Sequence, residues 1–547
     1  MSAVGRYWLA VLPGPGDYTP MRRSWRGDLL AGLTVGIVAL PLALAFGVSS
    51  GAGAEAGLVT AIVAGVVAAI FGGSNIQVSG PTGAMVVVLG PIVAAHGVGA
   101  VAAVSVLAGL IVLVGGLLRL GRLVTIIPWP VVEGFTLGIA VIIFLQQVPS
   151  ALGAPVHVGA NAVLGAWQAV TEADAGLAAW GVGAVLVVAI LMVALPRLHQ
   201  AIPASLLGIV LVTFVAELAG IPLTRIGELP ASLPAPAIPA LDLVAVQNLI
   251  LPALAVAALA AIESLLSARV GAGLADTGPF DADRELVGQG LASVASGLFG
   301  GMPATGAIAR TAVNAKSGGR SRLAAIVHSA VLLLLVVVGA NLVGRVPLAA
   351  LAGVLMVTTV RMVAPATVRA VVSASRSSAA IFVITAAVTI VFDLILAVGI
   401  GLVVAVVVAV WSLARSGSVQ REELPGPAEP GDERIALLRL DGALFFGSAD
   451  HVLEEVRLIG GVEVVILRMS QVGTLDATGA RVISELVTAL ERRGITVLVK
   501  GIQPQHLELA RRVGVLRAVR HPNHVFDELP AAVAHARSHI ARAAAAH

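Results

Sequence analysis

The sequence contains no cysteine and little charge. Without a thiol the chain can form neither a disulfide framework nor a thiolate metal site. Only 12% of its 547 residues are charged, 58% are hydrophobic, and the mean hydropathy is +0.98. In soluble globular proteins about a quarter of the residues are charged. The composition therefore excludes a soluble protein and predicts an integral membrane protein that lies in a lipid bilayer.

Lysine is also scarce, since the chain has only Lys316 and Lys500. The pI of 9.9 thus comes from arginine, at a net charge of only +3. We interpret the arginines as determinants of membrane topology and expect no nucleic-acid partner. The scattered His96, His199 and His328 form no catalytic or metal-binding pattern, and we expect neither an enzyme nor a metal or cofactor.

About fourteen apolar runs between residues 29 and 415 are long enough to cross the bilayer, or to do so as broken pairs. If the N-terminus is cytoplasmic, the arginine-rich gaps between runs also fall on the cytoplasmic side. We predict a cytoplasmic N-terminal segment (1–27), a transmembrane domain (28–415), a proline-rich linker (416–432) and a C-terminal domain (433–547). Short strand patterns alternate with helical ones in the last region, which predicts a small α/β domain.

One pattern recurs across the membrane region. Phe71-Gly72-Gly73, followed by Pro81-Thr82-Gly83-Ala84, returns as Phe299-Gly300-Gly301, followed by Thr305-Gly306-Ala307. Chance recurrence is the alternative for the repeat, and close helix packing is the alternative for the glycines at the half-helix starts. We favour two related halves, each with an interrupted membrane helix, because paired broken helices indicate the substrate site of a secondary transporter.

The N-terminus of a helix carries about +0.5 elementary charge and unpaired backbone N–H groups. Two such ends that meet near the bilayer midplane would bind an anion. The predicted half-helices begin near two triplets of mostly small residues, which let an anion approach the backbone. The substrate-binding candidates are Thr82, Gly83, Ala84, Gly306, Ala307 and Ile308.

Charges within the apolar region are functional candidates because their burial is costly. Glu263 and Ser267 share one helix face, and Arg310 follows the start of the second half-helix. A structural ion pair between Glu263 and Arg310 is the alternative, and Glu133 fits interfacial capping better than transport chemistry. Protonation of Glu263 would remove a charge that opposes anion binding, so a proton could drive anion uptake.

Several motifs together resemble the SulP family of anion transporters, and the resemblance spans nearly the whole chain. The motifs are Ala39-Leu40-Pro41-Leu42-Ala43-Leu44-Ala45-Phe46-Gly47, Pro81-Thr82-Gly83, Ile262-Glu263-Ser264-Leu265-Leu266, Glu285-Leu286-Val287-Gly288-Gln289-Gly290 and Thr305-Gly306-Ala307-Ile308-Ala309-Arg310-Thr311. Thr474-Leu475-Asp476-Ala477-Thr478-Gly479 resembles the signature loop of a STAS domain.

The resemblance implies an all-α membrane domain of fourteen segments in a seven-plus-seven inverted repeat, divided into a core and a gate domain. By the same resemblance a cytoplasmic α/β STAS domain would follow and the protein would form a homodimer. Arginine in place of lysine, with abundant alanine and glycine, predicts a bacterial plasma membrane, and the arginine bias of the gaps predicts that both termini are cytoplasmic. By the same resemblance the anion would lie between the third and tenth helices, with Phe46 lining the pocket and Arg310 nearby. Elevator-like movement of the core against the gate would expose it alternately.

The first-helix motif is most similar to sodium-coupled bicarbonate symporters of the family, but two positions depart from them. Glu263 stands where those proteins have Asp, with Ser267 at the hydroxyl position one turn later, and Arg310 replaces an uncharged residue. We therefore expect proton-coupled symport of sulfate, bicarbonate or a dicarboxylate. A Na+-coupled bicarbonate symporter, a channel or exchanger for chloride-like anions, and a nucleobase permease are the alternatives.

In related soluble STAS proteins a serine at the position of Thr478 is phosphorylated. This makes Thr478 a regulatory candidate in the present chain. The other interpretation is that Asp476 and Thr478 cap the following helix.

Overall fold

The computed structural model describes residues 13–121, 129–155, 161–198, 202–239, 243–391, 403, 407, 418–444 and 461–545. The chain divides into two compact units, Met1–Leu402 and Val403–His547. The first is almost entirely helical, and the second contains a five-stranded sheet.

The first half of the membrane unit contains nine α-helices and a short strand within its described residues, after a single 3-10 turn at Pro15–Tyr18. They are α1 (Met21–Ser49), α2 (Ala54–Phe71), β1 (Ser79–Gly80), α3 (Gly83–His96), α4 (Gly99–Leu117), α5 (Trp129–Gln146), α6 (Val148–Leu152), α7 (Ala162–Glu172), α8 (Ala175–Leu198) and α9 (Ala204–Leu218). Helix α2 contains one π-helical turn, Thr60–Ala64. Helix α1 begins before residue 28, so it includes part of the predicted N-terminal segment.

The second half repeats this order in its described part. Its elements are α10 (Leu243–Leu274), α11 (Ala282–Leu298), β2 (Thr305–Gly306), α12 (Ile308–Lys316), α13 (Arg322–Gly344), α14 (Leu348–Met362), α15 (Pro365–Ala374) and α16 (Arg376–Val391). Eight helical stretches of the described chain are long and apolar enough to cross a membrane. A count of fourteen spans stays a prediction, because most of residues 392–415 lies outside the described residues.

The helices pack as two groups. In the core group (α1–α4 and α10–α13), α4 packs on α10 and α11, and α13 packs on α1 and α2. In the gate group (α5–α9 and α14–α16), α5 packs on α16 and α8 packs on α14. By their order in the chain, α1, α2 and α4 correspond to α10, α11 and α13, while α5 and α8 correspond to α14 and α16. When each helix is replaced by its counterpart, the pairs within each group convert into one another. An inverted repeat has this property, so the packing agrees with the predicted architecture.

Glycine lets core helices approach closely. A Cβ built on Gly288 of α11 would lie 2.4 Å from the backbone N and Cα of Gly72, and one on Gly290 would lie 2.5 Å from the backbone of Leu113. The recurring Phe-Gly-Gly motif thus serves helix packing at Gly72.

The C-terminal unit is an α/β domain whose sheet has the order β3-β4-β5-β6-β7. The strands are β3 (Ser418–Glu422), β4 (Ile435–Leu444), β5 (Val464–Leu475), β6 (Thr496–Lys500) and β7 (Val525–Phe526), and its helices are α17 (Ala477–Arg492), α18 (Pro504–Val513), α19 (Val515–Ala518) and α20 (Leu529–Ala545). Strand β3 is antiparallel to β4, and the other pairs are parallel. The predicted strand–helix alternation is confirmed, and β3 lies inside the interval predicted as linker.

The close approach at Gly288 predicts that Gly288→Ala destabilises the membrane unit. Its new methyl group would meet rigid backbone, and such overpacking typically costs about 1–3 kcal/mol. The melting temperature of the purified protein in detergent should fall. Gly115→Ala is the matched control, because a Cβ at Gly115 meets no atom within 4 Å. Equal melting temperatures for the two variants would contradict the packing argument.

Candidate functional site

The two half-helices begin on either side of a two-residue ribbon. Strands β1 and β2 are antiparallel, with Ser79 opposite Gly306 and Gly80 opposite Thr305. Helix α3 follows β1 with Thr82 as its N-cap residue, and α12 follows β2 with Ala307 as its N-cap residue. Because antiparallel strands run in opposite directions, the helices leave the ribbon in opposite directions and their N-terminal ends face each other.

Neither half-helix has a side-chain cap among the described residues. The hydroxyl of Thr82 is directed elsewhere, and Ala307 has no polar side chain. The first N–H groups of both helices therefore stay available to a ligand. Two positive helix ends with free donors form an anion-binding geometry.

A triangle of three side-chain oxygens joins the two half-helix motifs to α10. The hydroxyls of Thr82 and Thr305 lie 2.7 and 2.9 Å from Oε2 of Glu263. The two hydroxyl oxygens are 3.0 Å apart. Glu263 thus contacts the segments before both helices, and it lies where its charge acts directly on the predicted anion site.

Thr305 was not a candidate in the sequence, although the repeat contained the signal. Its Thr-Gly-Ala triplet matches that of Thr82, but the two triplets lie at different distances from the helix that follows. Thr82 occupies the N-cap position of α3, whereas Thr305 lies in β2 three residues before α12 begins. Only the strand pairing places both hydroxyls on one carboxylate.

Arg310 is buried and lies in the first turn of α12. One terminal nitrogen donates to the carbonyl oxygen of Pro81, just before α3, and Nη1 has no hydrogen-bond partner in the described part of the chain. A Cβ on Gly80 would lie 2.6 Å from Nη1. The guanidinium therefore brings a full positive charge from one half-helix to the start of the other.

Glu263 and Arg310 form no ion-pair contact within 4 Å among the described residues, although their charges attract each other across the site. Glu263 accepts hydrogen bonds from threonine, and Arg310 donates to a backbone carbonyl. Each charge thus has its own hydrogen-bond partners at the site.

Two serines of α10 support the ribbon. Oγ of Ser264 accepts a hydrogen bond from the backbone N–H of Gly306 (3.1 Å), and Oγ of Ser267 lies 3.2 Å from Oγ1 of Thr311. Thr311 in turn accepts from the N–H of Val78 at 3.1 Å. Ser267, predicted to act with Glu263, contacts α12 instead, and its role in cation coupling stays a prediction.

Aromatic and aliphatic side chains cover the start of α3. A Cβ on Gly83 would lie 3.5 Å from the Phe46 ring and 2.4 Å from Cδ1 of Ile143, on gate helix α5. Ala84 is buried, whereas Ile308 at the start of α12 is 44% exposed. Residues of core and gate together therefore pack around the start of α3, whereas the first side chain of α12 is exposed. The contribution of Ile143 had no signal in the sequence.

Two buried carboxylates anchor the segments around the ribbon. Oε2 of Glu285 accepts from the N–H groups of Gly73 and Ser74 at 2.8 and 3.0 Å. Oδ1 of Asp28 accepts from the N–H groups of Arg320 and Ser321 at 2.7 and 3.0 Å. These contacts fix the chain before β1 and after α12.

Outside this site, the structure shows the surroundings of three further residues from the sequence analysis, Asp476, Thr478 and Glu133. Asp476 is the N-cap residue of α17, and its Oδ1 accepts from the N–H of Gly479 at 2.7 Å, which confirms the predicted cap. Thr478 is exposed inside the helix instead of capping it, and its regulatory role stays a prediction. Glu133 accepts a hydrogen bond from the indole of Trp129 at 3.0 Å, one turn earlier.

An interrupted-helix site inside an inverted repeat of apolar helices defines a membrane transporter rather than an enzyme. The sulfate permease family matches residues 25–385, and the STAS domain family matches residues 427–532. The chain belongs to the sulfate permease family and carries a C-terminal STAS domain. The predicted resemblance to SulP transporters is confirmed.

Several known proteins are similar to this chain over most of their length. YvdB of Bacillus subtilis, provisionally named a sulfate transporter, is 35% identical over 520 residues, which cover 92% of this chain and 96% of YvdB. The bicarbonate transporter BicA of Synechocystis is 31% identical over 527 residues, 92% of each chain. The structure of the murine Slc26a9 anion transporter has a TM-score of 0.84 at 17% identity, covering 98% of this chain and 96% of that one, and so shares the fold.

The oxygen triangle predicts that Thr305→Val weakens anion binding about fivefold or more, since a buried group left without its partner costs about 1–3 kcal/mol. Valine keeps the shape but removes the hydroxyl that contacts both Thr82 and Glu263. Calorimetric titration with sulfate, bicarbonate and a dicarboxylate would measure the change for each anion that binds the unmodified chain. Thr358→Val is the control, because within the described part of the chain the Thr358 hydroxyl bonds only the carbonyl of Val354 in its own gate helix. Unchanged affinity in Thr305→Val would contradict the site.

Proposed function

We propose that this protein is a secondary active transporter of small oxyanions and that the anion is coupled to a proton. The meeting of two uncapped helix N-termini beside the Thr82–Glu263–Thr305 triangle carries this proposal. The names of its relatives, among them a bicarbonate transporter, support the anion as substrate.

The hydrogen count in the triangle favours a proton as the coupling ion. Three oxygen–oxygen contacts connect Glu263, Thr82 and Thr305, but the two threonines supply only two hydroxyl hydrogens. When Glu263 is ionised, one contact has no hydrogen. When Glu263 is protonated, each of the three contacts holds one. A single added proton thus completes the network without any change in the positions of its oxygens.

Electrostatics gives the size of the coupling. An anion about 8 Å from an ionised Glu263 would be repelled by roughly 2 kcal/mol at an effective dielectric constant near 20. Neutralisation of Glu263 therefore raises anion affinity about thirtyfold. Arg310 adds attraction in both states of Glu263 and so lifts the affinity without contributing to the coupling.

The chemistry of the site favours sulfate, bicarbonate or a dicarboxylate. Backbone N–H groups and one guanidinium recognise oxyanion charge, and Arg310 favours a divalent anion over a monovalent one. A panel of radiolabelled anions in proteoliposomes, with and without pH and Na+ gradients, would identify the substrate.

We further propose that the protein lies in a bacterial plasma membrane as a homodimer, with both termini and the STAS domain in the cytoplasm. The arginine bias of alternate gaps supports this orientation. Selective labelling of an introduced cysteine in the STAS domain would test the orientation, and crosslinking in intact membranes would test the dimer.

Glu263→Gln is expected to abolish the pH dependence of anion uptake. Glutamine imitates the protonated side chain at every pH, so affinity should be high and constant in the variant, whereas that of the unmodified chain should rise about thirtyfold as the pH falls. Uptake into proteoliposomes across a pH series would measure both. Glu133→Gln is the matched control, since Glu133 contacts only Trp129 among its described hydrogen bonds.

Three results would contradict the proposal at different levels. The same pH profile in Glu263→Gln and the unmodified chain would exclude Glu263 as the coupling residue. Strict dependence on Na+ at fixed pH would replace the proton with sodium. Conductance far above carrier rates without a cation gradient would indicate a channel.

Elevator-like movement makes a prediction at the contact between the two helix groups. Oγ of Ser49, at the end of core helix α1, lies 3.2 Å from Oε1 of Gln147, just after gate helix α5. If the core slides along the gate, this contact breaks in every cycle. A short thiol-reactive crosslinker that joins Ser49→Cys to Gln147→Cys should therefore stop uptake reversibly. The absence of native cysteine makes the two single variants clean controls, and full uptake by the crosslinked double variant would exclude this movement.

A further inference from the structure

Three histidines of the C-terminal unit meet at one end of its sheet. His524 ends the short turn Pro522–His524 before β7, while His535 and His539 lie one turn apart on α20. One ring nitrogen from each lies within 4.8 Å of the corresponding nitrogens of the other two. The sequence analysis missed this group, because fifteen positions separate its outer members and only the docking of α20 brings them together.

The spacing of the helical pair fits a tetrahedral metal ion. Nε2 of His535 and Nε2 of His539 are 3.3 Å apart. Zinc binds imidazole nitrogen at about 2.0–2.1 Å, so two ligands of a tetrahedral zinc ion lie about 3.3–3.4 Å apart. The helix backbone therefore already holds two ligands at the required separation.

The third histidine, His524, is buried, and one of its ring nitrogens has no hydrogen-bond partner among the described residues. His524 is only 5% exposed, and its Nδ1 has no hydrogen-bond partner among the described residues. Its ring centroid lies 5.4 Å from that of His535 and 5.3 Å from that of His539, with the rings steeply inclined to one another. A buried polar atom without a partner is costly unless a ligand satisfies it.

Burial favours the neutral form of the three imidazoles, which is the form that metals bind. Burial is the main cause that lowers the pKa of His524, His535 and His539, and neighbouring positive groups lower it further. The nearby guanidiniums are engaged elsewhere. Arg520 pairs with Glu491 at 3.0 Å, and Arg542 donates to the carbonyl oxygen of Ser538 at 3.1 Å.

We propose that His524, His535 and His539 form a zinc site in the STAS domain. Three imidazole nitrogens would bind Zn2+ and leave a fourth position for water. The ion would join α20 to the turn that precedes the edge strand β7, and so would hold the C-terminal helix on the sheet. Because the site uses only residues of the C-terminal unit, it is independent of the transport proposal.

The test uses the full chain in detergent, purified with an affinity tag that contains no histidine. After treatment with a chelator, the protein should bind about one Zn2+ per chain in a calorimetric titration. Co2+ should give the visible absorption of a tetrahedral complex, and zinc should raise the melting temperature of the domain.

His535→Ala and His539→Ala should each weaken zinc binding at least about hundredfold, since even the residues that only orient metal ligands contribute about 10–100-fold. His506→Gln is the control, because His506 lies in the same domain, on α18, outside the cluster. Far-UV circular dichroism would establish that each variant is folded.

Absence of stoichiometric zinc binding and of a tetrahedral cobalt spectrum in the unmodified chain would overturn the proposal, whatever the variants do. Equal zinc affinity in a folded His535→Ala variant would overturn it as well. Loss of binding in both helical variants, with binding kept in His506→Gln, is the expected result.

Discussion

Backbone polarity inside a membrane is the constraint on which this structure depends. A helix interrupted in the hydrocarbon region exposes N–H and C=O groups that lipid cannot satisfy. Here the two interruptions satisfy each other, because β1 and β2 pair across the two halves of the chain. Among the described residues, the backbone N–H groups in the first turn of each half-helix remain unpaired, and a negatively charged ligand would bind to them.

The rest of the core group maintains this arrangement. Small residues let α11 approach the end of α2 within the distance at which a methyl group would clash, and this holds the segment before β1 in place. Glu285 and Asp28 bind backbone N–H groups at the two ends of the interrupted region. Arg310 links the halves once more through Pro81. Each contact joins residues that are far apart in sequence, so the site exists only when both halves are folded together.

Much of this was predictable from the residues. Composition determined the membrane class, the Phe-Gly-Gly and Thr-Gly-Ala recurrence located both half-helix starts, and isolated charges pointed to Glu263 and Arg310. The sequence did not reveal that Thr305 joins Thr82 on Glu263, because this depends on the register of a two-residue ribbon. It also missed Ile143, an ordinary aliphatic residue in an apolar run, and the histidines around His524, whose proximity depends on how α20 docks.

Strands β1 and β2 can pair only after both halves of the chain have been synthesised. The partners of Ser79 and Gly80 are Gly306 and Thr305, which leave the ribosome more than two hundred residues later. At about 5–20 residues per second, this delay amounts to roughly 10–45 s. For that time the first interruption has no strand partner in the growing chain. The N–H and C=O groups of Ser79 and Gly80 therefore need another hydrogen-bond partner until the second half of the chain arrives.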